Sequence, residues 1–329
     1  MNAHQVLDAL AERRGEGATL STIAINLVAF VEDASLLDWI AQRTDAIAQR
    51  HASRSIFLDA SHGGEAHSVD SERKESEGTT TTRSEQIRMN VGDMGAAALG
   101  SVARELLVPN VQTVLLWAGP SLLDERFAAL AELCNIVILD SSRAHTDAEC
   151  LRQLARIADE RLQPKIRDLA YMRLLPWQDL VALFFDDAKL AADLPALRAV
   201  QIDAGSEAEG YYFVGWLASR LAWQPCGKHA FCNAQGVQVA VGISRSGEPR
   251  RVQRVELRAP DRKFTAALDP DSRDLVCLTV TGAESRPARC APLREVDVLS
   301  LIQRAMLATS SGDVFAETLR MVRTVLAQA

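Results

Sequence analysis

The sequence is poor in the motifs that mark enzyme active sites. It has no G-x-G-x-x-G, no H-E-x-x-H and no G-x-S-x-G, and its six histidines stand beside no obvious nucleophile. Dinucleotide, zinc-protease and serine-hydrolase chemistry therefore find no signature. Gly95-x-x-x-x-Gly100-Ser101 imitates a phosphate loop, but it has no lysine and falls inside a predicted helix. The turn Gly92-Asp93-Met94-Gly95 joins a strand to a helix, where phosphates often bind. Asp93 would put a negative charge at that site, so the turn reads as a helix start. No catalytic residue, cofactor or metal is expected.

Basic charge is also short. Lys and Arg number 36 against 43 Asp and Glu, a net charge of −7. A nucleic-acid binder needs clustered cations to displace counterions, so nucleic acid is an unpromising partner, as is an anionic membrane surface. The longest apolar run, Ile23 to Val31, is interrupted by Asn26 and is too short to span a bilayer. The first twenty residues lack the basic and apolar segments of a secretory signal, so a cytoplasmic location is expected. The six cysteines are scattered and in that setting read as reduced thiols.

Apolar residues make up 48% of the 329 positions, enough for sizeable cores in two domains. After a short amphipathic helix at 4–14, predicted strands at 19–31, 54–59, 84–91, 111–117 and 135–140 alternate with helices at 34–50, 93–107, 121–133 and 146–162. This predicts an α/β, Rossmann-like domain over 1–163, with a mostly parallel sheet and helices on both faces. Residues 60–82 have almost no large apolar side chain and read as a mobile insertion. A connecting helical segment is expected over 164–195, with a helix opened by Pro176 and Trp177 at 176–192. An α+β domain follows over 196–329. It has a strand at 196–203, a helix at 208–222, an antiparallel meander at 236–243, 250–259, 262–269 and 273–281, and two closing helices at 294–309 and 313–327.

Four places could carry function. Asp140 and Ser141, with Ser142 and Arg143, end a predicted strand at the sheet's carboxyl edge, where ligands collect; they could equally be a helix cap. Cys226-x-x-His229-x-x-Cys232 would hold zinc only with a fourth ligand from elsewhere, and reads better as a loop whose two thiols can approach each other. His62 and His67 lie in the insertion without geometry to fix them. The third place is the block Asp168-Leu-Ala-Tyr171-Met-Arg173-Leu-Leu-Pro176-Trp177-Gln178, where Arg173 lies within reach of Asp168 and could stack on Tyr171 or Trp177. It is either an internal staple or a contact surface. The fourth is the helix Trp216-Leu-Ala-Ser-Arg220-Leu-Ala-Trp223, with Trp216 and Arg220 as an i,i+4 pair and Arg220 expected to be partly buried.

The last two blocks resemble the signature of the OpcA family of glucose-6-phosphate dehydrogenase assembly proteins. Asp168, Leu169, Arg173, Leu174, Trp177 and Gln178 fit its first block, with Tyr171 where tryptophan is usual. Trp216 to Leu221 and Trp223 fit its second. Glu85-Gln86-Ile87, the stretch Leu107 to Trp117 with Gln112 where proline is usual, and Ile138-Leu139-Asp140-Ser141 resemble its upstream segments. The resemblance runs through roughly residues 19–225. It implies a non-catalytic helper that binds glucose-6-phosphate dehydrogenase and promotes its assembly or active conformation, with Arg173 and Trp177 as candidate contacts. A binder of sugar phosphates or nucleotides, or an enzyme, working at the carboxyl edge of the first sheet is the competing expectation.

Overall fold

The structure is a computed structural model. It describes the chain except for residues 1–2, 15–22, 49–50, 62–67, 76–80, 93, 144–146, 160–164, 228–229, 284, 295–296, 308–312 and 329. Asp93, His62, His67 and His229 thus lie outside the described residues. The chain forms two compact units that interleave along the sequence. The first holds 1–139, 161–167 and 298–309; the second holds 140–160, 168–297 and 310–329.

The first unit is built on β1 (Ile25–Val31), β2 (Ser53–Asp59), β3 (Ser68–Glu75), β4 (Thr81–Asn90), β5 (Gln112–Ala118), β6 (Ile136–Leu139) and β7 (Lys165–Asp168), whose last residue already belongs to the second unit. The sheet order is β3-β4-β2-β1-β5-β6-β7. Pairs from β4 through β6 are parallel and β3 is antiparallel to β4. Without β3, the strands follow the 3-2-1-4-5-6 order of dinucleotide-binding folds. Every residue of β1 and β2 is buried, which requires cover on both faces. The helices fall into two contacting sets. They are α1 (Ala3–Arg14) with α3 (Ala96–Leu106) and α4 (Glu125–Ala131), and α2 (Ala34–Ala48) with α9 (Val298–Leu307).

Asn26, the polar break in the apolar run, is fully buried. Its Nδ2 donates to the Val108 carbonyl (2.9 Å) and Thr113 Oγ1 (3.2 Å), and its Oδ1 accepts from Val108 N–H (3.0 Å). Its polar side chain ties β1 to the entry of β5 and leaves no orphaned group. Buried Arg54 is likewise satisfied, by Glu85 (2.8 Å) and the Leu106 carbonyl (2.7 Å).

The reading of 60–82 as a mobile loop needs correction, because 68–75 and 81–90 pair as β3 and β4 in continuous register. Charged residues cannot build a core, but an edge strand needs only main-chain partners, and charge suits an edge.

The second unit holds an eight-stranded sheet ordered β15-β14-β13-β12-β8-β11-β10-β9. Its strands are β8 (Ala199–Ala204), β9 (Gln224–Gly227), β10 (Ala230–Cys232), β11 (Gln238–Arg245), β12 (Val252–Arg258), β13 (Arg262–Asp269), β14 (Ser272–Gly282) and β15 (Arg286–Pro292). β12 to β15 form the expected antiparallel meander, whereas β11 pairs in parallel with β8. Its helices are α5 (Asp147–Asp159), α6 (Leu169–Ala182), the short α7 (Ala188–Ala191), α8 (Glu207–Arg220) and α10 (Asp313–Gln328). α8 lies against β8 and β11 and packs along α10. Gly215 permits that approach: a Cβ there would sit 2.7 Å from the Thr318 carbonyl oxygen.

Two local expectations change. α6 does not open at Pro176 but at Leu169, capped by Asp168, and Pro176 lies inside it. A proline in mid-helix leaves the carbonyl four residues earlier without its helical donor, a cost that packing outweighs here. The cysteines are not all reduced thiols. Cys226 is bonded to Cys232 and Cys277 to Cys290, because the β9–β10 and β14–β15 pairings bring each couple together.

Candidate functional site

The residues of the first sequence block converge with Asp140 on one buried polar cluster in the second unit. Asp140 follows β6 and opens a single 3-10 turn, Ser141–Arg143. Arg173 projects from the second turn of α6. Its guanidinium grips the Asp140 carboxylate with two bonds, Nη2 to Oδ1 at 2.8 Å and Nη1 to Oδ2 at 3.1 Å. Nη2 also reaches Ser142 Oγ (2.5 Å) and Glu209 Oε1 (3.3 Å). Such a fork fixes orientation as well as charge. Glu209, in the first turn of α8, accepts at its other oxygen from Ser206 Oγ (2.6 Å).

Asp168 is not the partner of Arg173. Its Oδ1 accepts the N–H groups of Ala170 (2.9 Å) and Ser141 (3.1 Å), which makes it the N-cap of α6. Its Oδ2 accepts from the Tyr212 hydroxyl (2.7 Å). Tyr171 stands edge-on to Tyr212 with ring centres 5.5 Å apart and lies 4.9 Å from Phe315. Gln178 and Trp177 are buried beside them on α6.

One guanidinium serves two buried carboxyls, Asp140 and Glu209, beside a third that has other partners, Asp168, and their proton affinities separate. Burial pushes Asp140 up, but the charge and hydrogen bonds of Arg173 bring it below the ordinary carboxylate value. Burial pushes Asp168 up to about 6, with the Asp140 charge adding and the bonds from Ser141 and Tyr212 opposing. Burial pushes Glu209 up to about 7 against the pull of Arg173. Raised carboxyls are a feature of acid–base sites. Here, however, Asp168 and Glu209 are each 1% exposed, with both oxygens engaged. The arrangement joins α6, α8 and the turn after β6.

The second block divides. Trp223 is buried near Phe231, and Trp216 meets Phe213 edge-on at 5.3 Å. Arg220 is exposed and pairs with Glu317 of α10, which corrects the expectation of a partly buried arginine. Trp177, expected as an exposed contact, is only 3% exposed.

Sequence reasoning missed Glu209, Ser206 and Tyr212. Ser206-x-x-Glu209 has the spacing of a helix capping box, which was the available signal. The turn tested in the sequence for phosphate binding, and read there as a helix start, is not the one where this fold places a dinucleotide. The strand order reverses at β1, so the turn to inspect is Glu32-Asp33, not Gly92 to Gly95. It contains no glycine. Asp33 accepts the Ser35 N–H (2.9 Å), and Glu32 lies 3.7 Å from Arg126, which is held by Asp124. Trp117 stacks on Phe30 at 4.5 Å below it. Carboxylates occupy the place where a pyrophosphate would need bare amides. Among the described residues one group of possible metal ligands gathers, Asp269, Cys277 and Cys290, but its two sulfurs are bonded to each other. No helix among the described residues is long and apolar enough to cross a membrane.

Solved structures share the fold. A 3-ketoreductase, KijD10 from Actinomadura kijaniata, crystallised with NADP and TDP-benzene in an open conformation, superposes with a TM-score of 0.52 at 12% identity, covering 92% of this chain and 96% of its own. The transcriptional regulator Gal80p from Kluyveromyces lactis gives 0.50 at 10% identity, covering 96% and 94%. At such identities the likeness concerns the fold alone. Among curated proteins, the "Putative OxPP cycle protein OpcA" of Nostoc punctiforme is 37% identical over 136 residues, which span 40% of this chain and 29% of that protein. Its namesake in Synechocystis sp. is 32% identical over 130 residues, 39% of this chain and 27% of the relative. The aligned stretch is thus under a third of the length of either relative. Family models extend the match. The glucose-6-phosphate dehydrogenase subunit N-terminal domain fits residues 44–156, and the corresponding C-terminal domain fits 164–319. Matched in order through both halves, the chain belongs to the OpcA family of glucose-6-phosphate dehydrogenase assembly proteins.

Proposed function

We propose that this protein is a cytoplasmic, non-catalytic helper of glucose-6-phosphate dehydrogenase, acting on that enzyme's assembly or active conformation in the oxidative pentose phosphate pathway. The observation that carries the reading is the family match through both halves of the chain. Two features of the molecule support it. The fold is one that elsewhere holds NADP, yet the turn at Glu32-Asp33 offers carboxylates instead of a glycine-lined phosphate cradle. The most perturbed carboxyls, Asp168 and Glu209, are sealed and bonded on both oxygens.

The competing reading, a ligand site or enzyme at the carboxyl edge of the first sheet, loses its anchor, because Asp140 is gripped by Arg173. A helper without chemistry of its own acts only by binding one state of its partner more tightly than another, and the shift it produces cannot exceed that difference in affinity. The test is the purified pair from one organism. Stoichiometric addition should raise the dehydrogenase's activity or change its oligomeric state, with binding followed by light scattering. No association, together with unchanged kinetics across substrate concentrations, would refute the reading.

A further inference from the structure

Beside the Asp140–Arg173–Glu209 cluster, within the second unit, lies a cavity of about 380 Å³. Three parts of the chain form it: α6 around Arg173 to Trp177, the loop Glu248 to Val252 ahead of β12, and Leu293, Arg294 and Asp297 after β15. One wall is apolar, made by Leu174, Trp177, Val252 and Leu293. The remainder is dominated by arginine. In a chain with a net charge of −7, four guanidiniums (Arg173, Arg250, Arg251 and Arg294) line this space with three carboxylates.

The carboxylates do not absorb all of that charge. Glu209 is engaged by Arg173 and Ser206, and Glu248 by Arg251 and Arg273. Arg250 and Arg294, in contrast, make no side-chain hydrogen bond or ion pair with a described residue. Like charges crowd here as well. The Arg143 guanidinium next door is held below its ordinary value first by burial and then by the charge of Arg250. Arginines gathered at a concave surface favour a counter-anion.

The loop that carries Arg250 is held in place rather than loose on the surface. Arg250 adopts a left-handed backbone at φ 61°, unusual for a residue with a side chain. Gly247, three residues before it, is also left-handed at φ 79°. Gly205 at the end of β8 lets the loop press down, since a Cβ there would sit 1.7 Å from the Glu248 carbonyl oxygen. Backbone strain retained at a position that presents a charge to a cavity points to use.

We propose that this cavity binds a small anion bearing a phosphate group, with Arg250 and Arg294 as its charged ligands and the Trp177 wall holding its organic part. A phosphate dianion matches in charge the two guanidiniums that have no partner among the described residues, and its oxygens can accept from both forks, whereas a carboxylate carries the charge for one. The volume lies in the range of small-molecule sites, and an apolar wall stands beside convergent charged groups. The inference goes beyond the helper function and stands or falls without it.

The experiment is calorimetry on the full chain with inorganic phosphate and, separately, pyrophosphate, against sodium chloride at matched ionic strength. Saturable one-site binding is expected. Arg250→Gln and Arg294→Gln should each weaken it by about tenfold to a hundredfold, the loss of one charge-assisted bond. Their melting temperatures without ligand should stay unchanged, since neither side chain has a partner among the described residues. Should Arg250→Gln fold poorly because of its φ, Arg250→Gly, which tolerates that backbone, and Arg294→Gln carry the test. No saturable heat at millimolar phosphate, or undiminished binding by both variants, overturns the proposal. So does a third result, in which phosphate is ignored and the variants lose association with a partner protein, because the arginines would then be contacts for acidic side chains.

Discussion

Replacing Glu209 by glutamine tests the electrostatics of the buried cluster. Glutamine keeps the shape and remains able to bond Ser206 and Arg173, but it does not titrate. Burial raises the folded-state value of Glu209 from 4.5 to about 7. The folded protein therefore holds this proton more tightly than the unfolded chain does. Stability contributed by the protonated group is fully present below 4.5 and is lost as pH rises towards 7. Integrated from pH 5 to pH 8, that loss is on the order of 2 kcal/mol. The glutamine variant escapes it, so its stability relative to the parent should improve by that amount across the same interval, whatever its offset at pH 5. Urea unfolding followed by tryptophan fluorescence at several pH values measures the difference. Asp168, raised to about 6, contributes a loss of the same sign in both proteins and cancels. Stability curves of parent and variant that run parallel from pH 5 to 8 would refute the assignment of Glu209 as a buried, strained carboxyl.

Arg220→Ala should cost no more than about 1 kcal/mol, because an exposed ion pair is worth little; a loss of several kcal/mol on urea unfolding would mean that Arg220 is buried against α10. The protein should neither reduce NADP nor bind it in the micromolar range, given the acidic turn at Glu32-Asp33, and calorimetry showing such binding would overturn this. Under non-reducing conditions iodoacetamide should modify Cys150 and spare Cys134, whose thiol burial pushes up to about 12; peptide mass spectrometry showing Cys134 labelled first would contradict its burial.

The sequence made the α/β character legible because β1, β5 and β6 are apolar runs spaced by helices, and that rhythm is local. It hid β3, since an edge strand is stabilised by main-chain bonds and its charged side chains look like those of a solvated loop. The cluster was half legible. Arg173 and Asp168 drew notice as neighbours in one block, and proximity in sequence suggested that they pair. The true partners stand 33 and 36 residues away, at Asp140 and Glu209, a choice that only the packing of α6 against α8 makes. Proline at 176 suggested a helix start because its local cost is unfavourable in mid-helix; buried Leu169, Leu174, Trp177 and Val181 outweigh it. Arg220 was misjudged in the opposite direction. It sits on a mostly apolar helix, yet faces Glu317 at the surface.

The most direct measurement is a titration of the same organism's glucose-6-phosphate dehydrogenase with this protein, following activity and oligomeric state together. The account predicts saturation near one-to-one stoichiometry with raised activity or a changed assembly. It also predicts reciprocity, with glucose 6-phosphate or NADP on the enzyme altering its affinity for this chain. Two proteins that do not associate, with enzyme kinetics unchanged at every substrate concentration, would contradict it.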